Sequence, residues 1–110
     1  MPLIQIPTRQ IVDWPSFHQV FAQTMGFPEF YGKNMNAWID CMTSLNSTDD
    51  GMTTVHCVSP DVVVLQLQDV QDFKSRCQEI YDALIECSAF VNFRKIEVGE
   101  PAVLALSFSK

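Results

Sequence analysis

Two hydrophobic rhythms alternate along this chain. Leu3–Ile6 is a short aliphatic run closed by Pro7, and it predicts a strand over residues 3–6. Phe17, Val20, Phe21, Thr24 and Met25 then fall at i, i+3, i+4, i+7 and i+8, the spacing of one helix face. Asp13 as a cap, Pro15 just inside and Gly26 just beyond place that helix at residues 15–25. A second helix is predicted over residues 34–45, opened by Asn34, whose side-chain oxygen can accept an orphan backbone N–H. Met35, Trp38, Met42 and Leu45 are its core face, while Asn36, Ile39, Asp40 and Thr43 are expected to point outward. Residues 61–68, DVVVLQLQ, are β-branched and apolar enough for a central strand buried on both faces. A short helix or turn over 69–76 leads to a third helix at 77–92, with Ile80, Leu84, Cys87 and Val91 on one stripe. Gly99-Glu100-Pro101 is a turn, and AVLALS over 102–107 is the last strand.

Strands and helices therefore alternate. That order predicts an α/β fold, a small three-stranded parallel sheet with helices packed around it, as one domain over residues 1–110. The stretch from Ser44 to Pro60 is rich in Ser, Thr, Asp and Gly and reads as loop, with room for a short strand at 53–58. His18 lies beside the apolar stripe of the first helix, where a surface or boundary role is expected rather than catalysis.

Charge changes this picture more than overall composition does. The formal net charge is −6, and no Lys or Arg occurs between Asn34 and Phe73. That interval holds Asp40, Asp49, Asp50, Asp61, Asp69 and Asp72. Such a run serves solubility, and it equally steers a basic partner while repelling nucleic acid. The N-terminal MPLIQIPTRQ lacks the basic and apolar regions of a signal peptide, and no apolar run reaches membrane-spanning length. Cys41, Cys57, Cys77 and Cys87 are widely spaced, which fits reduced thiols in a cytoplasmic protein rather than a disulfide framework or a zinc site. There is no phosphate loop, no metal-ligand spacing and no nucleophile–base pair, so neither a cofactor nor an enzymatic function is expected. A basic patch interleaved with aromatics is absent too, which argues against direct nucleic-acid binding.

The residues from Gly26 to Thr43 carry the most specific signal. They read Pro28-Glu29-Phe30-Tyr31-Gly32-Lys33-Asn34, then Met35-Asn36-Ala37-Trp38-Ile39-Asp40-Cys41-Met42-Thr43. By periodicity alone the polar face of this helix is that of any surface helix. The segment nevertheless resembles the barstar family, the intracellular inhibitors of barnase-type ribonucleases. That family carries Pro-Glu-aromatic-Tyr-Gly-x-Asn followed by Leu-Asp-Ala-Leu-Trp-Asp-Cys-Leu-Thr. The similarity is ungapped here, strong over about residues 14–45 and weaker beyond, and Phe17-His18 match a similar pair in the family's first helix.

The resemblance implies a three-stranded parallel sheet and a protein that occludes a ribonuclease active site with an acidic helix and the preceding loop. It puts Asp40 on the family's main anchoring carboxylate and Phe30 on the aromatic that packs on the nuclease's catalytic histidine. Asn34, Asn36, Ile39 and Thr43 complete the implied binding set, with Glu86 as a looser match to a remote acidic contact. Two positions depart: Asn36 stands where the family has an aspartate, and Ile39 where it has an exposed tryptophan. These leave the inhibitor class standing and put barnase itself in doubt as the target. The implied partner is a basic protein, a barnase-type ribonuclease, bound by a chain that is monomeric when free. A barstar-like module with a non-nuclease partner is the alternative, and immunity against a nuclease toxin is the inhibitor reading in another setting. Residues 46–60 exceed the expected family connection and stand out as an insertion.

Overall fold

The computed structural model describes residues 2–110. Three parallel strands, β1 (Leu3–Ile6), β2 (Val63–Leu67) and β3 (Leu104–Phe108), pair in the order β1-β2-β3. Ile6 aligns with Leu67, and Val63 with Leu104. Four α-helices accompany them: α1 (Trp14–Met25), α2 (Met35–Thr43), α3 (Val70–Arg76) and α4 (Gln78–Glu97). The predicted α/β order is therefore observed, with small shifts at the ends. The 69–76 segment is helical, and α4 runs five residues past its expected end at 92. A 3-10 turn at Thr8–Gln10 was not anticipated, and residues 53–58 form no strand.

The sheet corrects one expectation. Burial alternates along β2: Val63, Leu65 and Leu67 are fully buried, whereas Val64 and Gln66 are half-covered. Gln5 and Gln66 hydrogen-bond to each other in solvent, and Leu3 on the same face is exposed. Parallel sheets usually have helices on both faces. Here one face is covered and the other stays open, because a strand pairs equally well with polar residues at every second position.

Local chemistry sets the helix ends. Asp13 accepts from Ser16 N at 2.9 Å while its own N–H donates to Ser16 Oγ, a reciprocal cap that holds the Asp13 carboxyl below its usual range. Gly26 ends α1 in the left-handed region at φ 68°, and a Cβ there would collide with Thr54. At the other end of the fold, Asn92 of α4 staples the start of β3. Its Nδ2 donates to Leu104 O at 2.8 Å, and its Oδ1 accepts from Val103 N and Leu104 N.

The core lies between the sheet and the helices. Phe17, Phe21, Met25, Trp38, Met42 and Leu45 from α1, α2 and its end are wholly buried with Leu65 and Leu67. His18 is buried as well, against the expectation of a boundary position. Trp14 stacks on its ring at 5.9 Å, and Tyr31 Oη lies 2.6 Å from its Nδ1. Helical spacing placed His18 at the edge of the stripe; the loop after α1 then folds back and covers it. Desolvation, helped by the Lys33 charge, lowers the His18 pKa, while burial raises that of Tyr31.

Two outcomes follow from these contacts. Asn92→Ala should destabilise the fold by about 2–3 kcal/mol in urea unfolding, because three backbone groups lose their partner; a loss within error would show that water replaces it. Because His18 resists protonation in the folded state, its contribution is complete above the unfolded value near 6.5 and is lost as pH falls below that. The melting temperature should therefore drop between pH 7 and pH 5, and His18→Gln should flatten that slope. An unchanged slope would assign the drop to other groups.

Candidate protein-binding site

The loop between α1 and α2 is shaped by one inward aromatic. Tyr31 N–H donates to Pro28 O at 3.0 Å, closing a turn, and the Tyr31 ring packs on Phe27 at 4.7 Å between centroids. Its hydroxyl is taken by His18. With Tyr31 drawn in, its neighbour Phe30 is turned out and is 77% exposed. Lys33 follows in the left-handed region at φ 55°. Asn34 then caps α2, accepting from Ala37 N at 2.8 Å and donating to Gly32 O. The Asn34 side chain thereby holds the loop–helix joint.

On α2 the pairing of faces is as expected except at one position. Trp38, Met42 and Leu45 are buried, and Met35 packs against them. Asn36 and Asp40 are exposed, and Thr43 is half-buried with its hydroxyl donated back to Ile39 O at 2.6 Å. Ile39 does not point outward: it is only 8% exposed and belongs to the core. Of the other helices, α4 packs most extensively on α2. An aliphatic side chain at this position is buried where a polar one would remain at the rim.

Phe30 and Asp40 meet at a surface notch of about 160 Å³, lined also by Gly32, Ala37, Cys41 and Met52. Small-molecule sites are typically about 300–1,000 Å³. This notch is sized for a side chain rather than for a nucleotide. Its chemistry is a carboxylate beside an exposed ring, which suits a guanidinium or imidazolium. Cys41 supplies no nucleophile, since burial, reinforced by the Asp40 charge, pushes its thiol up to about 11. All four cysteines are free, and no group of three metal-ligating side chains forms among the described residues. Among the described residues, no helix is long and apolar enough to cross a membrane.

Two residues of the site escaped sequence reasoning. Met52 belongs to the 46–60 connection, which is tied down by Thr54 N to Met25 O and Cys57 N to Leu45 O, each 2.9 Å. That connection forms a wall of the notch, and no periodicity announces it. Arg94 of α4 donates to Asp40 Oδ1 at 3.1 Å. The carboxylate is thus paired within the chain yet still 61% exposed. Glu86 is exposed on α4 but lies eight residues before Arg94, about 12 Å along the helix axis. It does not line the Phe30–Asp40 notch.

Comparison with known proteins bears on what this arrangement is. No individually curated protein matches the sequence. A family-level match, described as Barstar (barnase inhibitor), covers residues 1–98 of the 110-residue chain. That span takes in the sheet's first two strands, all four helices and the whole Phe30–Asp40 notch. With three parallel strands in sequence order and the Pro28–Thr43 motif seated at an exposed notch, the chain belongs to the barstar family of barnase inhibitors.

Proposed function

We propose that this protein is an inhibitor of a ribonuclease and that it acts by occluding the active site, with no catalysis of its own. The observation that carries the reading is that the exposed Phe30 and Asp40 line one notch too small for a nucleotide. A ribonuclease must present cations to stabilise phosphate charge in its transition state. A carboxylate on a helix can occupy that place without offering a bond to cleave. Phe30 supplies an apolar plate for a catalytic imidazole beside it. Asn36 and Thr43 flank the anchor as polar contacts, Asn34 holds the geometry, and Glu86 is at most a rim contact. Ile39, being buried, takes no part as an exposed anchor. The partner is accordingly a basic protein whose surface differs from barnase's where the family's tryptophan and first aspartate would touch it. Free cysteines fit a cytoplasmic setting, and the chain is taken to act as a monomer when free. Immunity against a nuclease toxin would use the same surface.

The electrostatic division of labour makes this testable. Asp40 lines the notch, where a bound partner would exclude water. Asp49 is exposed in the loop after α2, where it acts mainly on association rate and fades with salt. Asp40→Ala should weaken inhibition of a barnase-type ribonuclease by about 2–5 kcal/mol, the range for leaving a buried partner cation unpaired. Asp49→Ala should have a small effect that vanishes at high salt. Equal losses for the two would mean diffuse attraction rather than a docked side chain. Asn36→Asp, which adds a second carboxylate on the exposed face, should strengthen inhibition of such an enzyme. Absence of inhibition across several ribonucleases would shift the assignment to a module with a non-nuclease partner.

A further inference from the structure

The anchor carboxylate is not bare. Arg94 Nη1 donates to Asp40 Oδ1 at 3.1 Å, and no other side chain among the described residues hydrogen-bonds Asp40. Arg94 itself is 41% exposed and makes this single contact, without the two parallel bonds of a fork geometry. Its helix turn is held in place from the other side by Val91, Lys95 and the Asn92 staple, so the guanidinium starts from a fixed root beside α2. The contact joins α4 to α2 across 54 positions of sequence, in a chain with only seven basic residues.

We infer that Arg94 is a specificity-determining residue: in the free protein it stands in for the partner's cation, and binding exchanges one ion pair for another. This rests on the inhibitor reading of Asp40. An exposed, single-contact pair is weak, so the exchange is easily made. It still matters for selection. A lone lysine on an unrelated basic surface would replace one cation by another and gain nothing. A pocket with two or more convergent cations, such as a phosphodiester-binding site, outcompetes Arg94 and gains. Arg94 therefore filters for clustered positive charge, and the acidic run elsewhere in the chain attracts without choosing.

The test compares Arg94→Gln with Arg9→Gln, each in the Asp40 and the Asp40→Asn background. Arg9 does not line the notch and pairs with Asp69, so both changes remove one positive charge from the whole molecule. The probes are a barnase-type ribonuclease that the wild type inhibits and, separately, immobilised poly-lysine. Arg94→Gln should bind the ribonuclease roughly two- to five-fold more tightly than Arg9→Gln, the worth of an exposed pair. That excess should vanish in the Asp40→Asn background, where nothing is left to compete for. Simple repulsion of the partner by Arg94 would instead persist or grow there. The elution salt from poly-lysine should show the same pattern. No excess, weaker binding by Arg94→Gln, or an excess that survives Asp40→Asn would overturn the inference. If the wild type inhibits no ribonuclease, the functional reading falls, and the poly-lysine comparison alone decides the role of Arg94.

Discussion

The nine-residue α2 is too short to hold itself helical in water, and the burial of Trp38 is what keeps it in place. The indole is wholly buried and meets Phe21 of α1 edge-on at 5.7 Å between centroids. The outward residues of the candidate site on this helix are oriented by that anchor. Two residues further along, a helix has turned by about 200°, so fixing Trp38 inward carries Asp40 outward. The Asn34 cap and the buried Met42 then remove the remaining freedom to slide or fray. The loop is governed in the same way by Tyr31, whose ring and hydroxyl are engaged below the surface and which thereby presents Phe30 above it. Two buried aromatics thus orient the two exposed groups of the site.

This arrangement separates the packing core from the proposed recognition surface. Trp38, Phe21, Tyr31 and His18 do the packing, and Phe30 and Asp40 sit at the surface at a cost the core offsets. An exposed phenylalanine gains nothing for the free protein. Its solvation cost is recovered only when something covers it, which is the usual property of a protein-binding hot spot. The open face of the sheet, by contrast, carries Gln5 and Gln66 paired to each other and has no comparable combination of charge and aromatic surface.

Electrostatics act on two scales. The net charge of −6 gives a long-range field that falls off over about 8 Å at physiological salt. Within that field, Asp40, Asp69 and Asp72 are each held by an arginine, from Arg94, Arg9 and Arg76 respectively. Arg76 also donates to the carbonyls of Ile11 and Thr8, so its pair with Asp72 helps lock α3 against the entry to α1. Lys95, nearly buried, reaches Glu100, which in turn accepts from Asn46 and ties the loop after α2 to the turn before β3. The same few cations that neutralise the acidic interval also tie its segments to the rest of the fold.

The amino-acid sequence by itself determined the elements, their order and the polarity of α2. Caps, proline and glycine positions and 3.6-residue spacing are local properties, and Asp13, Pro15, Gly26 and Asn34 act within a few residues of themselves. The Pro28–Thr43 motif was legible for the same reason, being contiguous. What only the tertiary structure decided is how far each face is covered. Ile39 sits on the outward arc by spacing and is buried in the core of the folded chain. His18 sits at the edge of its stripe and is buried because a loop thirteen residues on returns over it. Val64 and Gln66 belong to a strand that reads as buried on both faces, yet they are only half-covered. The partner of Asp40 and the Met52 wall of the notch come from segments distant in sequence. Periodicity reports the direction in which a side chain leaves its own backbone; what it meets there depends on the packing of the other elements.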